Sequence, residues 1–535
     1  MKTKATLRMS VFIPAVVLVS VFMLLISLGG DVYVDVITRS YRAVMDKIGW
    51  TFGPATLVFV GIMFYSIFGK VGKIVIGGKG AERILDPVSF YGVVVTGLTA
   101  TGLIFYGATE PVYHFMNPPA HLGVEAGTAE AIRASMGITF LHWTINVFSI
   151  YSVLALAVAL GVYNLGYNFS VSSILRPVFG KWMDGALGSV LDVFILFSMV
   201  LGNIYSLGQL MISVSSGVNT LFDIPRSGLI YMLIAVLVIV ASLICINGGI
   251  AKAVKKIANL NMYVFYFMVA FFVLLGPMAF SFGIAMDGLS YFFDNYLTLS
   301  LANGQAGSDS WPSMWTIAYI GGWAGIGPIM ALFLGKIARG YTVRQFVNCI
   351  FVGGSLFYFF WFVIFGGNGI ATEMAHGDIF STISENGFES GIYVFFEHYP
   401  LATLMSLTYI FVSLLSFVTT MVAKLDGLSS LCCQNVNAEQ MSTPFWLKLM
   451  WGVVAGVLGW ACATYLGFQG VRMFAGFSGL TGMIVTVLSS ISLIWMFMHV
   501  QEDENGEPIL SQETMKQTLI ERISTVRRIK REEVA

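Results

Sequence analysis

Of 535 residues, 57% are hydrophobic and only 11% charged, and the formal net charge is zero. A soluble chain carries roughly 25% charged residues, so this one lacks the polar surface to coat a water-soluble particle of its size and requires lipid. Balanced charge argues against a nucleic-acid partner, whose phosphates need a basic face. The five cysteines (Cys245, Cys349, Cys432, Cys433 and Cys462) lie in or beside apolar runs without metal-ligand spacing and read as small core residues.

The first apolar run, 11–28, follows Lys2, Lys4 and Arg8. It is longer than the ~7–15 residues of a signal-peptide core and no small-x-small cleavage pattern follows, so it predicts a first membrane span. Further runs of the roughly 20 residues that cross a bilayer as helix recur near 52–69, 90–113, 137–163, 187–215, 227–247, 260–283, 313–335, 346–368, 400–423, 447–467 and 472–498. None alternates as the ~10-residue strands of a membrane barrel would. The pattern predicts an all-α polytopic membrane protein of twelve spans.

An even number of spans puts both ends on one side, and the basic residues say which. With the N-terminus in the cytoplasm, the inner segments hold Lys2, Lys4, Arg8, Lys70, Lys73, Lys79, Arg83, Arg176, Lys181, Lys252, Lys255, Lys256, Lys336, Arg339, Arg344, Lys424 and Lys448. The outer loops keep only Arg39, Arg42, Lys47, Arg133, Arg226 and Arg472. Residues 284–312 mix aromatic and acidic groups (Asp287, Asp294, Asp309, Trp311) and predict an amphipathic helix at the outer interface. The polar residues 499–535 predict a cytoplasmic helix or a flexible tail.

Two spans carry small-residue interruptions. The third reads Thr96-Gly97-Leu98-Thr99-Ala100-Thr101-Gly102, followed by Gly107; the eighth reads Gly321-Gly322-Trp323-Ala324-Gly325-Ile326-Gly327-Pro328. Glycine weakens a helix and proline removes a donor. Backbone freed at membrane depth is tolerated where it lines a cavity, and paired breaks in corresponding helices of two repeats point to a transporter's central site. The competing reading is close helix packing through small residues. Trp315, Tyr319 and Trp323 form one stripe at i, i+4 and i+8, and Trp143, Phe148 and Tyr151 sit close together on the fourth span. Aromatic faces attract an onium cation by up to ~2 kcal/mol each when desolvated. Among intramembrane ionisable residues, His142 reads as a structural partner of its neighbours and Glu110 as ordering backbone near the outer face. Lys424 and Asp426 are expected to snorkel or pair at the cytoplasmic end of the tenth span.

These residues resemble the betaine/choline/carnitine transporter family. The likeness rests on Phe105-Tyr106-Gly107-Ala108-Thr109-Glu110-Pro111, His142-Trp143-Thr144 running to Ile150-Tyr151, Ser206-Leu207-Gly208, Asn261-Met262, and Lys336 through Arg344. It implies two inverted five-helix repeats in a leucine-transporter-like fold, at 90–283 and 313–498, joined by 284–312. Two extra helices within 1–89 precede them and the tail 499–535 follows. Alternating access and a homotrimer in a bacterial-type inner membrane are implied as well.

The family's tryptophan cluster in the eighth span is depleted to Trp323, and Phe148 stands where a second tryptophan is usual. The expected substrate is therefore a quaternary ammonium or related zwitterion held by Trp143, Phe148, Tyr151, Tyr319 and Trp323. A sulfonium or an amino-acid-like zwitterion is the alternative. The resemblance also implies a sodium site formed by backbone at Thr96 and Thr99 and hydroxyls of Thr419 and Thr420, with sodium as coupling ion. Hydroxyls paired with their own helix backbone, and sodium-independent exchange or proton symport, are the competing readings. A channel would need a continuous polar lining, and no hydrolase, zinc-protease or P-loop motif is present, so no enzyme activity is expected.

Overall fold

The computed structural model describes residues 6–98, 101–247, 250–305, 309–434, 443–515 and 517–523. They form helices α1 (Met9–Ile48), α2 (Phe52–Phe68), α3 (Pro87–Leu98), α4 (Thr101–Tyr106), α5 (Thr109–Met116), α6 (Ala129–Trp143) and α7 (Ile145–Tyr163). There follow α8 (Ala186–Phe222), α9 (Gly228–Asn247), α10 (Ile250–Leu275), α11 (Met278–Asp294), α12 (Ala318–Lys336), α13 (Gly354–His376), α14 (Ala402–Leu431) and α15 (Phe445–Met498). Among the described residues nine helical segments are long and apolar enough to cross a membrane. A tenth joins residues Asn259–Leu275 to α11 across a bend of 104°.

Two expected spans fall outside that set. The first lies within α1, where an apolar stretch covers Met9–Leu25. The third is described as α3, α4 and α5, none longer than 12 residues. Residues 99 and 100, between α3 and α4, lie outside the described residues. Around Gly107, between α4 and α5, the carbonyl of Leu103 is taken up by the indole Nε1 of Trp361 at 3.1 Å. This is re-bonding of the kind that irregular backbone at membrane depth requires.

Burial separates the lipid face from the core. α7 is apolar on every side and is buried from Asn146 through Gly161, which makes it a central helix. α9 instead exposes Leu229, Leu233, Val236, Leu237, Val240 and Ile244, a patch suited to hydrocarbon and not to water. α12 and α15 pack against each other and against both α7 and α8 as the middle of the bundle.

The glycines of the eighth span depart from expectation. α12 runs as continuous helix through Gly321, Gly325 and Pro328, with a π-helical turn, Ser313–Ile317, only at its outset. Gly479 meets the backbone of Gly321, Gly325 faces Ser478, and Gly482 meets the backbone of Ala324 and Gly325, each too closely for a side chain. Small residues here bring α12 and α15 into backbone contact. The matching break is absent, and close packing is what this cluster provides. The hinge in α15 lies at Gly467, whose φ of 61° is in the left-handed region that favours glycine, and it divides residues Phe445–Phe468 from Gly470–Met498.

The described part of the C-terminal segment is neither a long helix nor detached. Gln501–Glu502 pairs with Pro508–Ile509 as a short hairpin, tied to the loop after α2 by Lys70–Glu502 (2.8 Å) and by Lys79–Asp503. Gln512 donates to the carbonyl of Leu165 at 2.7 Å, and Trp495 Nε1 to that of Gln517 at 3.1 Å.

Candidate functional site

Where α4, α6, α8, α12 and the second half of α15 meet, the bundle encloses a cavity of about 60 Å³, room for a few water molecules at roughly 15 Å³ each. Its wall is Gly102, Tyr106, Trp143, Tyr205, Ser206, Gln209, Ala318, Tyr319, Gly322, Trp323, Ile326, Arg472 and Ala475. Trp143, Tyr319 and Trp323, three of the five aromatic residues expected from sequence, are thus brought together. The Trp143 and Trp323 rings stand nearly perpendicular, 5.4 Å apart, and Tyr319 lies 5.5 Å from Trp143. Gly102, in the broken third span, leaves the space that the Trp143 ring fills. The other two stand behind the wall. Tyr151 backs Trp323 edge-on at 5.6 Å, and Phe148 packs against Tyr358 at 5.0 Å.

Below the rings a buried carboxylate fixes their orientation. Glu110 Oε2 accepts from Trp143 Nε1 at 2.7 Å and from the Tyr319 hydroxyl at 2.5 Å, while Oε1 meets His142 Nδ1 at 2.8 Å. His142 Nε2 lies 3.0 Å from Thr316 Oγ1, so an imidazole protonated on Nδ1 satisfies both neighbours. The ring of His142 also stacks flat on Tyr319 at 4.6 Å. Glu110 therefore does more than order nearby backbone: it ties α5, α6 and α12 together under the cavity. His114 approaches the same carboxylate at 3.6 Å, and both of its ring nitrogens are buried without a hydrogen-bond partner. Ligand atoms of Glu110, His114 and His142 lie within 4.8 Å of one another, a spacing that could hold a metal ion. The hydrogen bonds engaging both carboxylate oxygens identify the group first as a scaffold for the aromatic wall.

Two polar wall residues escaped the sequence reading. Arg472, expected in an outer loop, turns inward at the start of the last span; its guanidinium lies over the Trp315 ring at 4.7 Å and donates to the carbonyl of Met314 at 2.5 Å. Gln209, on α8, is buried with its amide nitrogen lacking any partner. The signal for both was an ionisable or amide group inside an otherwise apolar run.

The residues expected to hold sodium are differently placed. Thr99 lies outside the described residues, and Thr96 belongs to α3. Thr419 and Thr420 are buried on α14, where their hydroxyls donate to the carbonyls of Leu415 (3.2 Å) and Ser416 (3.0 Å) of their own helix.

A membrane-embedded helical bundle that closes around a small chamber of aromatic rings, one guanidinium and one free amide is organised to carry a solute. The chain belongs to the betaine/carnitine/choline (BCCT) family of transporters, whose model matches residues 10–502. It is 26% identical over 461 residues to a glycine betaine transporter, OpuD, of Bacillus subtilis, covering 85% of this chain and 88% of that protein. It is 24% identical to the ectoine/hydroxyectoine transporter of Virgibacillus pantothenticus, covering 84% and 88%. A sodium-coupled sialic acid symporter of known structure aligns with a TM-score of 0.36 and 13% identity over 85% of this chain and 96% of that one, a likeness too slight to bear on coupling.

Proposed function

We propose that this transporter moves a quaternary-ammonium or related zwitterionic solute by alternating access, binding it in the chamber between Trp143, Tyr319 and Trp323. The observation that carries the reading is the chemistry of that chamber's wall, which holds both aromatic rings and the polar side chains of Arg472 and Gln209. Crossed indoles and a tyrosine ring suit an onium group, which offers no hydrogens for conventional bonding. Arg472 and the unpartnered amide of Gln209 suit a carboxylate, which a guanidinium binds by paired charge-assisted hydrogen bonds. Phe148 and Tyr151 contribute by holding the rings in place. The chamber is small, so side chains and helices must shift to admit the solute. The two repeats expected at 90–283 and 313–498 are the units whose relative motion would do so. The reading carries with it a homotrimer in a bacterial-type inner membrane with cytoplasmic termini, as the basic loops support.

Coupling has two readings. Sodium symport is supported by the position of Thr419 and Thr420 on α14, which packs against both α3 and α4 of the broken third span. Replacing both threonines by alanine would then weaken the sodium dependence of uptake. Sodium-independent exchange or proton symport is favoured by a specific observation: both hydroxyls are engaged by their own helix, and a buried lysine stands one turn further on.

A thermal-shift screen of glycine betaine, choline, carnitine, ectoine and a sulfonium analogue tests the substrate class. Stabilisation by a zwitterionic onium, lost on Trp323→Ala, is the expected result. Stabilisation that survives Trp323→Ala unchanged would move the site elsewhere.

A further inference from the structure

His114 lies on α5, one turn after Glu110, and is fully buried. A neutral imidazole carries one donor and one acceptor, yet neither ring nitrogen of His114 has a hydrogen-bond partner. The rings of Trp315 and Trp311 pack on it, with centroids 4.5 and 5.2 Å away. Aromatic packing satisfies neither nitrogen, and a buried polar group left unmet is costly. The wall needs no imidazole here, since the hydrogen bonds of Glu110 are all made by other residues.

What His114 Nε2 approaches is Glu110 Oε1, at 3.6 Å, too long for a hydrogen bond. His142 Nδ1 reaches the same oxygen from α6 at 2.8 Å, and ligand atoms of the three residues lie within 4.8 Å of one another. Two atoms bound to one tetrahedral zinc at ~2.0–2.1 Å stand about 3.3 Å apart, between the two distances to Oε1. The far ends of two of the ligands are already held. His142 Nε2 meets Thr316 Oγ1 at 3.0 Å, and Glu110 Oε2 accepts from Trp143 and Tyr319. Support of that kind fixes the orientation of metal ligands.

The donor set selects the ion. Two imidazole nitrogens and one carboxylate oxygen suit zinc and its transition-metal neighbours, whereas magnesium and calcium require more oxygen ligands than one carboxylate supplies. Arg472, whose guanidinium lies over the Trp315 ring at 4.7 Å, adds positive charge nearby. That charge favours a cation held by strong donor bonds over one held by attraction alone. Trp311 packs on His114 and also on His121, at 6.0 Å, whose partly exposed side chain pairs with Asp309 at 2.8 Å. One indole therefore stands between the cluster and a group in contact with solvent, a short way in for an ion.

We infer that His114, His142 and Glu110 form a binding site for a zinc-class dication behind the aromatic wall. His114 Nε2, His142 Nδ1 and Glu110 Oε1 each give a lone pair to the ion, and a water takes the fourth position. The hydrogen on His142 Nδ1 moves to Nε2, where the Thr316 hydroxyl accepts it, so the protein loses no proton. Glu110 Oε2 keeps Trp143 and Tyr319, and the wall stands with or without the ion. Bound metal clamps α5 to α6. The site depends neither on which solute is carried nor on the coupling ion.

Thermal unfolding of the purified full-length protein, stripped with EDTA and carrying no histidine tag, tests the site without any solute. Zinc chloride should raise the melting temperature of the parent by several degrees, saturating at one ion per chain, and magnesium chloride should not. His114→Leu keeps every hydrogen bond of Glu110 and should lose the response to zinc. Ions held instead by His121, His376, His398 or His499 would still bind that variant. A parent indifferent to zinc, or a variant that responds as the parent does, would overturn the inference. Cobalt(II) gives a second reading on the parent alone, which stands even if the variant does not fold. The strong visible absorption of four-coordinate cobalt, abolished by added zinc, is the expected result, and the weak absorption of the hydrated ion would overturn the inference.

Discussion

Replacing Glu110 by alanine should uncouple the aromatic wall from its support. Three donors face this carboxylate: the His142 ring, the Trp143 indole and the Tyr319 hydroxyl. Two have alternatives, since a hydroxyl can rotate and an imidazole can change tautomer. The indole N–H has none. A stranded buried donor costs about 1–3 kcal/mol. If the wall must be re-formed whenever solute binds, that cost appears as a loss of affinity of about 5- to 150-fold.

Glu110→Gln should behave differently. One amide oxygen can still accept from Trp143 and Tyr319, while the amide nitrogen donates to His142 Nδ1 if the Nε2 proton moves to face Thr316. The remaining loss is the charge on the acceptor, about 1 kcal/mol, so affinity should stay within about tenfold of the parent. Equilibrium binding of labelled solute to the purified protein separates the cases. Parent-like affinity in Glu110→Ala, or a weaker Glu110→Gln than Glu110→Ala, would refute the scaffold role.

Further outcomes follow from the same geometry. Arg472→Gln should weaken binding of carboxylate-bearing solutes by about 10- to 150-fold, the equivalent of a charge-assisted hydrogen bond of about 1.5–3 kcal/mol. It should leave choline, which has no carboxylate, unchanged, as a competition assay would reveal. Phe148→Leu should alter affinity by less than about fivefold, because the ring packs on Tyr358 behind the wall; isothermal titration measures this. Gly325→Val should lower the melting temperature, since its side chain would collide with Ser478 and overpacking costs about 1–3 kcal/mol or more. Gly322→Ala should fold normally, because its Cβ would meet Ala475 at 3.6 Å, an ordinary contact.

The membrane character of the chain and most of its spans were legible in sequence because apolar runs of bilayer length have few other uses. The aromatic cluster was legible in part: rings spaced at i, i+4 and i+8 share one helix face, and Trp143, Tyr319 and Trp323 line one cavity. Phe148 and Tyr151 were harder to place. Thr144 interrupts the helix between α6 and α7 with ψ of −122°, so faces read from a single helical wheel do not carry across it. The glycines of α12 look alike whether they loosen a helix or bring two together. What decides is Ser478, Gly479 and Gly482 on α15, far away in the chain. Arg472 was missed because a charge next to the predicted end of a span reads as a loop residue until the fold turns it inward. The tail, polar and mixed in charge, gave no periodic signal of the hairpin that Lys70 and Lys79 hold.

An experimental structure with glycine betaine or ectoine bound speaks most directly to the central claim. The account predicts solute density with its cationic end between the Trp143 and Trp323 rings and its carboxylate toward Arg472 and Gln209. Solute held at any other place in the bundle, with those rings still in mutual contact, would contradict it.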